Sequence, residues 1–234
     1  ALNQQALSAF LWSVADLLRG DYRQSDYGKV ILPFTVLRRI DCVLAPTKDA
    51  VLAELALRKS QGMPPDPFLR KKSGATFYNA DSLTLKTLLG DQDNIAINLR
   101  RYVQGFSPEV RDIFEHFEFD TQIDRLARAG LLYQVVEKFG QIDLHPGQVS
   151  NHQMGLVFEE LIRRFSELSN ETAGEHFTPR EVIRLMVNLI FTEDDDVLTK
   201  PGIVRTIYDP TAGTGGMLSV AEEYLTGMNP TASV

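Results

Sequence analysis

Cysteine, tryptophan and histidine are scarce in this 234-residue chain, which contains one, one and four of them respectively. A single cysteine, Cys42, excludes an intrachain disulfide and is typical of a reducing compartment, so we expect an intracellular, cytoplasmic protein. Cys42 lies in an apolar stretch and is predicted to be a small buried hydrophobe rather than a nucleophile. The four histidines have no zinc-ligand spacing and no cysteine partners, so no metal site is predicted.

Long apolar runs, a signal peptide and a phosphate-binding loop are also missing. No run approaches ~18 apolar residues, so we expect no membrane span. The pattern G-x-x-x-x-G-K-[ST] does not occur, which argues against ATP binding through a P-loop. The net charge is −7, and the whole acidic excess lies in residues 151–234. Without a broad basic surface, any contact with DNA would come from local patches or from a partner.

Helical periodicity dominates the first two thirds of the chain. Residues 2–19 and 28–44 carry apolar residues at helical spacing, and the second stretch is apolar enough to be a buried central helix. Four aromatic residues are predicted to be core rather than a base-stacking platform: Phe106, Phe114, Phe117 and Phe119. Residues 141–150 form a turn-rich connector. We therefore predict a helical N-terminal domain over residues 1–148 and a second domain over residues 149–234.

A pair and a cluster of basic residues occur in this helical part. Arg38 and Arg39 lie where the apolar face of the central helix ends, which predicts a solvated edge or, alternatively, a contact with a partner or a phosphate. Arg70, Lys71 and Lys72 stand in a predicted glycine-ended loop and form the densest basic spot in the chain. Three adjacent cations are usually only solvated, but this cluster is the first choice for a contact with DNA phosphates.

The second domain begins with two predicted helices. Residues 151–168 follow a clear amphipathic pattern. Thr178, Pro179 and Glu181 form a capping box with proline at the first helical position, so another helix is predicted to follow them. That helix is expected to bury one apolar face, which consists of Val182, Leu185, Met186, Leu189 and Ile190.

A glycine turn organises the rest of the chain. Residues 203–208 are rich in β-branched side chains and predict a strand, and the turn D-P-T-A-G-T-G-G-M at residues 209–217 precedes a helix-forming run. A strand, a glycine turn and a helix bring backbone N–H groups to face a ligand, and an acidic residue at the strand end accepts its hydrogen bonds. The pattern indicates a nucleotide or nucleoside site, although a turn of this composition is often only a turn.

Two motifs together resemble the DNA adenine methyltransferase subunits of type I restriction-modification systems. G-E-H-F-T-P-R-E-V at residues 174–182 is similar to their G-[EQ]-[YFH]-[YF]-T-P-R-x-[VL] segment, and residues 209–217 are similar to their D-P-[AT]-A-G-T-[GA]-G-[FM] motif. Residues 26–33 with 37–41, and residues 158–165, resemble the N-terminal helical domain of that family. The resemblance covers essentially the whole chain, and the two motifs stand in the order of the family.

This resemblance implies a modification subunit that transfers a methyl group from S-adenosylmethionine to the exocyclic amine of adenine. It implies a DNA site chosen by a separate specificity subunit, with a restriction subunit as a further partner, and self-association is a further expectation. The residues implied to line the cofactor pocket are Glu175, His176, Phe177, Thr178, Pro179, Arg180, Asp209, Gly213, Thr214, Gly215 and Gly216. Each of these residues also has a structural explanation that needs no ligand. Thr178 and Pro179, for example, would cap a helix in any case.

The catalytic Asn-Pro-Pro-aromatic motif of the resembled family is not found in these residues. Asn229-Pro230 lacks the second proline and the aromatic residue. We therefore expect an N-terminal fragment of a methyltransferase subunit that is inactive alone, with a mostly α fold that ends in the first part of a Rossmann-like α/β domain. A single strand without neighbours predicts that residues 200–234 are poorly held, paired with another chain or irregular. The alternative function is a non-catalytic helical module that binds the specificity subunit or DNA.

Overall fold

The structure is a computed structural model that describes residues 4–168, 178, 180–192, 198–204, 206–212 and 215–231. The chain divides into two compact units, residues 1–171 and residues 172–234. The predicted fold class, mostly α, is confirmed, because the described residues are mostly helical. Within those ranges, no helix is long and apolar enough to cross a membrane.

Nine α-helices are described in the first unit and two in the second. The first unit contains α1 (Gln4–Leu18), α2 (Gly28–Leu44), α3 (Lys48–Ser60), α4 (Asp66–Ser73), α5 (Ile95–Gln104), α6 (Pro108–His116), α7 (Phe119–Arg128), α8 (Leu132–Gln141) and α9 (Asn151–Leu168). Short 3-10 turns occur at Gln24–Asp26, Ala45–Thr47 and Thr87–Gly90. The second unit contains α10 (Arg180–Phe191) and α11 (Gly216–Met228).

The α2 helix is the centre of the first unit, as its apolar composition predicts. Phe34 is fully buried and packs edge-on against Phe119, with ring centroids 5.0 Å apart, and stacks on Phe139 at 5.5 Å. Phe106 and Phe114 are buried in the same core, and Phe117 packs against it. The predicted aromatic cluster is therefore core, and aromatic pairs in this geometry stabilise it beyond the area they bury.

A polar group is buried inside this apolar core. Asp41 on α2 is only 5% exposed and accepts hydrogen bonds from the Tyr102 hydroxyl at 2.6 Å and from the Arg38 guanidinium at 2.6 Å. The backbone N–H of Leu85 donates to the same carboxylate at 3.3 Å. A buried carboxylate is tolerated when its oxygens are hydrogen-bonded, so this network joins α2, α5 and the segment before Thr87–Gly90.

The prediction that Arg38 and Arg39 form a solvated edge is wrong, and the alternative, a contact with a partner or a phosphate, stays a prediction. Arg38 Nε donates to the carbonyl of Ile142 at 2.6 Å. Arg39 donates to the carbonyls of Leu144 and Val149 and to the side chain of Asn151. Both arginines therefore hold the connector between α8 and α9 against α2. The connector is an integral part of the first unit, although its sequence is rich in turn residues.

The α9 helix packs against this first core. Met154, Val157 and Leu161 are buried in the cluster that α1 and α2 form, and Phe158 packs against it. The predicted domain boundary between residues 148 and 149 stays a prediction. In the structure, α9 packs with the helices that precede it and belongs to the first unit.

The two helices of the second unit lie side by side and run parallel. A Cβ atom placed on Gly216 at the start of α11 would lie 2.9 Å from Ile183 Cδ1, near the start of α10. Near the other end, the rings of Phe191 and Tyr224 have centroids 5.6 Å apart. Both pairs have the same separation in sequence, so the helices are in register and their N-termini lie together.

The predicted buried face of α10 is wrong. Ile183 and Val187 are the buried residues, and they pack against Val220 and Ala221 of α11. The residues that were predicted to be buried form the outer face of α10, and each of them is 42–66% exposed. They are Val182, Leu185, Met186, Leu189 and Ile190. The α11 helix covers only the narrower apolar side, and no other described residue covers the wider one.

The predicted strand at residues 203–208 does not form as a regular strand in its described residues. Val204 is 72% exposed and Tyr208 is 83% exposed, whereas Ile207 packs against the core between α10 and α11. An isolated strand has no neighbour to pair with, so its intrinsic preference is not realised. This agrees with the expectation that residues 200–234 include irregular structure.

Candidate functional site

The glycine turn in front of α11 is held by the side chain of Asp209. Its Oδ1 atom accepts hydrogen bonds from the backbone N–H of Thr211 at 2.9 Å and from the Thr211 hydroxyl at 3.1 Å. The N–H of Gly215 then donates to the carbonyl of Ala212 at 2.7 Å. The second carboxylate oxygen of Asp209 has no hydrogen bond from the described residues, so it can still accept from an amine.

The two positions at the end of this turn are occupied by glycine for different structural reasons. Gly215 precedes α11 with φ at +79°, a left-handed conformation that side chains other than glycine adopt at a cost. Gly216 is the first residue of the helix, and a Cβ atom there would lie 2.9 Å from the terminal Cδ1 of Ile183, so that this side chain would have to shift. The turn thus favours glycine at 215 for its backbone, and at 216 the absence of a Cβ atom lets Ile183 pack close to the start of α11.

The parallel arrangement brings two helix N-termini to one end of the second unit. Thr178, just before α10, is exposed, and the glycine turn precedes α11. Unpaired N–H groups and the positive ends of two helix dipoles favour a negatively charged ligand at such a position. The two segments that sequence reasoning linked to one cofactor therefore lead into neighbouring helices.

Only part of the predicted pocket lies in the described residues. Thr178, Asp209, Gly215 and Gly216 have the positions given above, and Arg180 is the first residue of α10. The other predicted pocket residues lie outside the described residues: Glu175, His176, Phe177, Pro179, Gly213 and Thr214. The assignment of all eleven residues to a cofactor site stays a prediction.

Asn229, the start of the incomplete Asn-Pro motif, has a structural role. Its amide nitrogen donates to the carbonyls of Leu198 at 2.9 Å and Lys200 at 2.8 Å. Its amide oxygen accepts from the backbone N–H of Thr231 at 3.1 Å and from the Thr231 hydroxyl at 2.7 Å. The whole amide is engaged in joining the end of α11 to residues 198–200, so it is not free to hold a substrate amine.

The basic cluster is helical and is partly paired with acidic side chains. The predicted loop is wrong, because Arg70, Lys71 and Lys72 form the last turn of α4 and only Gly74 beyond it is left-handed. Arg70 donates to both carboxylate oxygens of Glu109, at 2.6 and 3.0 Å, and these bonds lower the pKa of Glu109 to about 2. The contact with DNA phosphates stays a prediction.

Lys71 and Lys72 differ in their surroundings. Lys72 Nζ lies 3.8 Å from a carboxylate oxygen of Glu54, whereas Lys71 is exposed and has no ion pair with the described residues. Lys71 is therefore the cation of this cluster that is best placed to meet an external anion. No group of three potential metal-ligating side chains occurs among the described residues.

Comparison with known protein families places both units in one class, the DNA methylases. A family model described as HsdM N-terminal domain matches residues 7–139, and a second, described as N-6 DNA Methylase, matches residues 149–233. The first match alone covers more than half of the chain. The chain is therefore a methyltransferase-type protein in which a helical domain precedes the start of a methylase domain.

Relatives with curated names agree with this class. The methylase subunit of the type I restriction enzyme EcoEI from Escherichia coli is 29% identical over 148 residues, which are 63% of this chain and 28% of the relative. The methylase subunit of the type I restriction enzyme MjaIX from Methanocaldococcus jannaschii is 24% identical over an alignment of 232 positions, which covers 92% of this chain and 39% of the relative. The chain belongs to the family of methylase subunits of type I restriction enzymes.

These matches also show how much of the length of each relative the chain spans. Its matched regions cover 28% and 39% of the length of the two relatives. The HsdM match lies within the helical unit, and the methylase match includes α9, α10, the glycine turn and α11. The candidate site is therefore in the part of the chain that the methylase model matches.

Proposed function

We propose that the protein methylates the exocyclic amine of adenine in DNA, with S-adenosylmethionine as the methyl donor. The match to the N-6 DNA Methylase model across α10, the glycine turn and α11 carries this proposal. When bound, S-adenosylmethionine supplies a methyl group on a sulfonium centre. The residues of this chain would bind and orient the donor and keep it away from water.

The described residues fit such a donor. The free carboxylate oxygen of Asp209 can accept hydrogen bonds from the methionine ammonium group. The paired N-termini of α10 and α11 provide N–H groups and positive dipole ends for the methionine carboxylate. Phe177, which lies outside the described residues, would form an apolar wall, and Gly213 would let the backbone approach closely.

Transfer to the base requires residues that these 234 positions do not include. The family motif Asn-Pro-Pro-aromatic holds the target amine and stacks on a base turned out of the helix. Asn229 does not replace it, because its amide is fully hydrogen-bonded within the unit. We propose that this 234-residue chain alone is inactive. The whole protein would act in the cytoplasm with a specificity subunit that selects the DNA site and with a restriction subunit.

A second candidate function is a non-catalytic helical module that binds the specificity subunit, DNA or another copy. The observation that favours it is the first unit, whose core among the described residues is formed by α1, α2, α5, α6, α7, α8 and α9 with their connecting segments and contains no residue of the second unit.

Calorimetry with S-adenosylmethionine on this chain separates the two functions. Binding that is lost in Phe177→Ala and in Gly213→Leu would support a formed donor pocket. No heat of binding, together with retained association with the specificity subunit, would support the helical module. The first unit serves as the internal control, because its unfolding midpoint should be the same in all variants.

A further inference from the structure

A cavity of about 450 Å³ lies in the first unit, where α5, α6 and α7 meet. Its floor consists of the buried side chains of Val103, Phe114, Phe119 and Ile123. Ligand pockets of proteins have volumes of about 300–1,000 Å³ and a mostly apolar lining with a few polar groups. The cavity is therefore large enough to receive a whole side chain, and the proposed donor site includes none of its residues.

The rim of this cavity carries carboxylates without a counter-charge. Glu115 and Glu118 line the cavity, are exposed and form no ion pair with the described residues. Arg100 also belongs to the lining, but its guanidinium donates to both Asp120 and Asp124 of α7. Arg100 is already neutralised in this way, so the two glutamates remain available for an external cation.

Arg111 is the second cation of the lining, and it is half-buried in the wall of the cavity. It lies one turn before Glu115 on α6, and side chains four residues apart on a helix are close enough to form an ion pair. Even when Arg111 turns towards Glu115, the carboxylate of Glu118 is left without a cation. The lining therefore favours a positively charged occupant in spite of its two arginines.

The acidic excess extends over the surface around the cavity. Residues 109–124 contain one arginine, Arg111, and six carboxylates, which are Glu109, Asp112, Glu115, Glu118, Asp120 and Asp124. Such a surface repels DNA phosphates and attracts a cationic partner. A small inorganic cation would leave the apolar floor uncovered, so the occupant should carry an apolar part as well as a positive charge.

An arginine side chain has both parts. Its methylene stem packs on apolar surfaces, and its planar guanidinium binds carboxylates in a fork and stacks on aromatic rings. The floor offers the rings of Phe114 and Phe119, whose centroids lie 5.3 Å apart, and the rim offers Glu115 and Glu118. Lysine fits less well, because its compact and strongly hydrated ammonium group has no planar face.

We propose that this cavity is a docking site for an arginine side chain of a partner protein. The stem of that arginine packs on the apolar floor, and its guanidinium binds Glu115 and Glu118 at the rim. The acidic surface around the cavity receives further cations of the same segment. The site consists only of residues of the first unit, so it does not depend on the proposed methyl transfer.

The backbone at Glu118 agrees with this assignment. Glu118 has φ at +50°, and no other non-glycine residue among those that the structure describes has a positive φ. Glycine adopts this left-handed conformation at a lower cost than a residue with a Cβ atom. The chain therefore carries a carboxylate at a position of the rim where glycine would be more stable, as is typical of strained residues at binding sites.

Fluorescence anisotropy of the 234-residue chain with a labelled hexa-arginine peptide tests the proposal. We expect Glu115→Gln/Glu118→Gln to weaken binding at least about tenfold. The control Asp49→Asn/Asp93→Asn also removes two exposed carboxylates, but they do not line the cavity, so binding should be retained. Hexa-lysine, which has the same charge, should bind at least about fivefold more weakly. Equal affinities for the two peptides, or equal losses in the two double variants, would overturn the proposal.

Gln104→Trp separates a fitted cavity from a general attraction of charges. Gln104 is exposed and lines the cavity, so an indole at this position would fill the space without a change of charge. Hexa-arginine binding should fall at least about tenfold, while helicity and the unfolding midpoint stay the same. Unchanged binding would contradict the proposal. A dimer of the unmodified chain that Gln104→Trp converts to a monomer would overturn it in favour of a second copy.

Two single variants of Glu118 distinguish binding from a structural role. Glu118→Gly removes the backbone strain and the carboxylate together, so it should raise the unfolding midpoint of the first unit and weaken hexa-arginine binding. Glu118→Gln keeps the strain, so it should weaken binding without raising the midpoint. If both variants bound the peptide as tightly as the unmodified chain, Glu118 would have no part in the site and the proposal would be wrong.

Discussion

The guanidinium of Arg39 donates a hydrogen bond of 2.6 Å to the backbone carbonyl of Val149, which is 110 residues further along the chain. The same group also reaches the carbonyl of Leu144 and the side chain of Asn151, the first residue of α9. One side chain on the central helix therefore fixes both ends of the connector. A planar guanidinium suits this position because its donors point in several fixed directions.

Replacement of Arg39 should loosen the connector. Arg39→Ala leaves the carbonyls of Leu144 and Val149 without their donor, and we expect the free energy of unfolding to fall by roughly 2–4 kcal/mol. Arg39→Lys keeps the charge but loses the fork, so it should recover only part of this loss. Hydrogen exchange of the amides at residues 142–150 would localise the effect.

Arg23 provides the control for this prediction. It is exposed, and its backbone carbonyl accepts from the N–H of Asp26, a bond that alanine keeps, so Arg23→Ala should leave exchange in the connector unchanged. Equal exchange rates in Arg39→Ala and in the unmodified chain would show that the connector does not depend on Arg39.

The stability of the first unit should rise between about pH 8 and pH 10 because of Lys48. Burial lowers the pKa of Lys48 to about 8, from an ordinary value of 10.5. In this interval the unfolded chain binds more protons than the folded chain, so the free energy of unfolding increases with pH, by at most about 2–3 kcal/mol. Lys48→Met should remove this rise in urea titrations carried out at successive pH values.

Tyrosines act in the opposite direction at higher pH. Burial raises the pKa of Tyr102 well above 10, and burial also raises that of Tyr22 to about 12. The unfolded chain therefore loses these protons first, and stability should fall above about pH 10.

If Lys48→Met and the unmodified chain gave parallel curves of unfolding free energy from pH 7.5 to pH 9.5, the proton uptake assigned to Lys48 would be incorrect.

Two glycines of α11 should respond to alanine in opposite ways. A Cβ at Gly216 would lie 2.9 Å from Ile183 Cδ1, whereas a Cβ at Gly227 would meet nothing within 4 Å. We expect Gly216→Ala to destabilise the second unit by about 1–2 kcal/mol, and Gly227→Ala to stabilise it by about 0.5–1 kcal/mol. Thermal unfolding measures both changes.

A double-mutant cycle tests the cause of the Gly216 effect. Ile183→Val removes the atom that a Cβ at Gly216 would approach, so it should reduce the cost of Gly216→Ala. Additive effects of the two substitutions would mean that the glycine is required for another reason, such as the approach of a ligand.

DNA binding, if it involves the basic end of α4, should depend on Lys71 more than on Arg70. Arg70 is bound to Glu109 and Asp66, whereas Lys71 is exposed. Lys71→Ala is expected to reduce the slope of log K against log salt by about 1, as for the loss of one phosphate contact. Arg70→Ala should change the slope less. An unchanged slope in both variants would remove α4 from the DNA-binding surface.

The sequence predicted the helices of the first unit because their apolar residues recur at helical spacing and tertiary packing agrees with that pattern. It did not predict the roles of Arg38 and Arg39, because their carbonyl partners lie more than 100 residues away. The carbonyls belong to a connector whose turn-rich composition gives no sign of where it packs. The available signal was Asp41, a carboxylate two residues after Arg39 in an otherwise apolar helix, which indicates a buried polar network on that side of α2.

The second unit shows a different limit of sequence reasoning. The apolar pattern of α10 identified its wider apolar face, but among the described residues α11 and Ile207 pack against the narrower one. Residues 203–208 have the composition of a strand, and a strand forms only with neighbours. The glycine turn was predicted on local chemistry, and its described hydrogen bonds are local as well.

Methyl transfer by the whole protein with the proposed specificity subunit tests the central claim most directly. The measurement uses S-adenosylmethionine with a labelled methyl group, DNA that contains the recognised site, and mass spectrometry of the nucleosides. We predict label on the exocyclic amine of adenine, and its loss in Asp209→Ala and Phe177→Ala. Label on cytosine, or no label in DNA from a folded complex that binds the site, would contradict it.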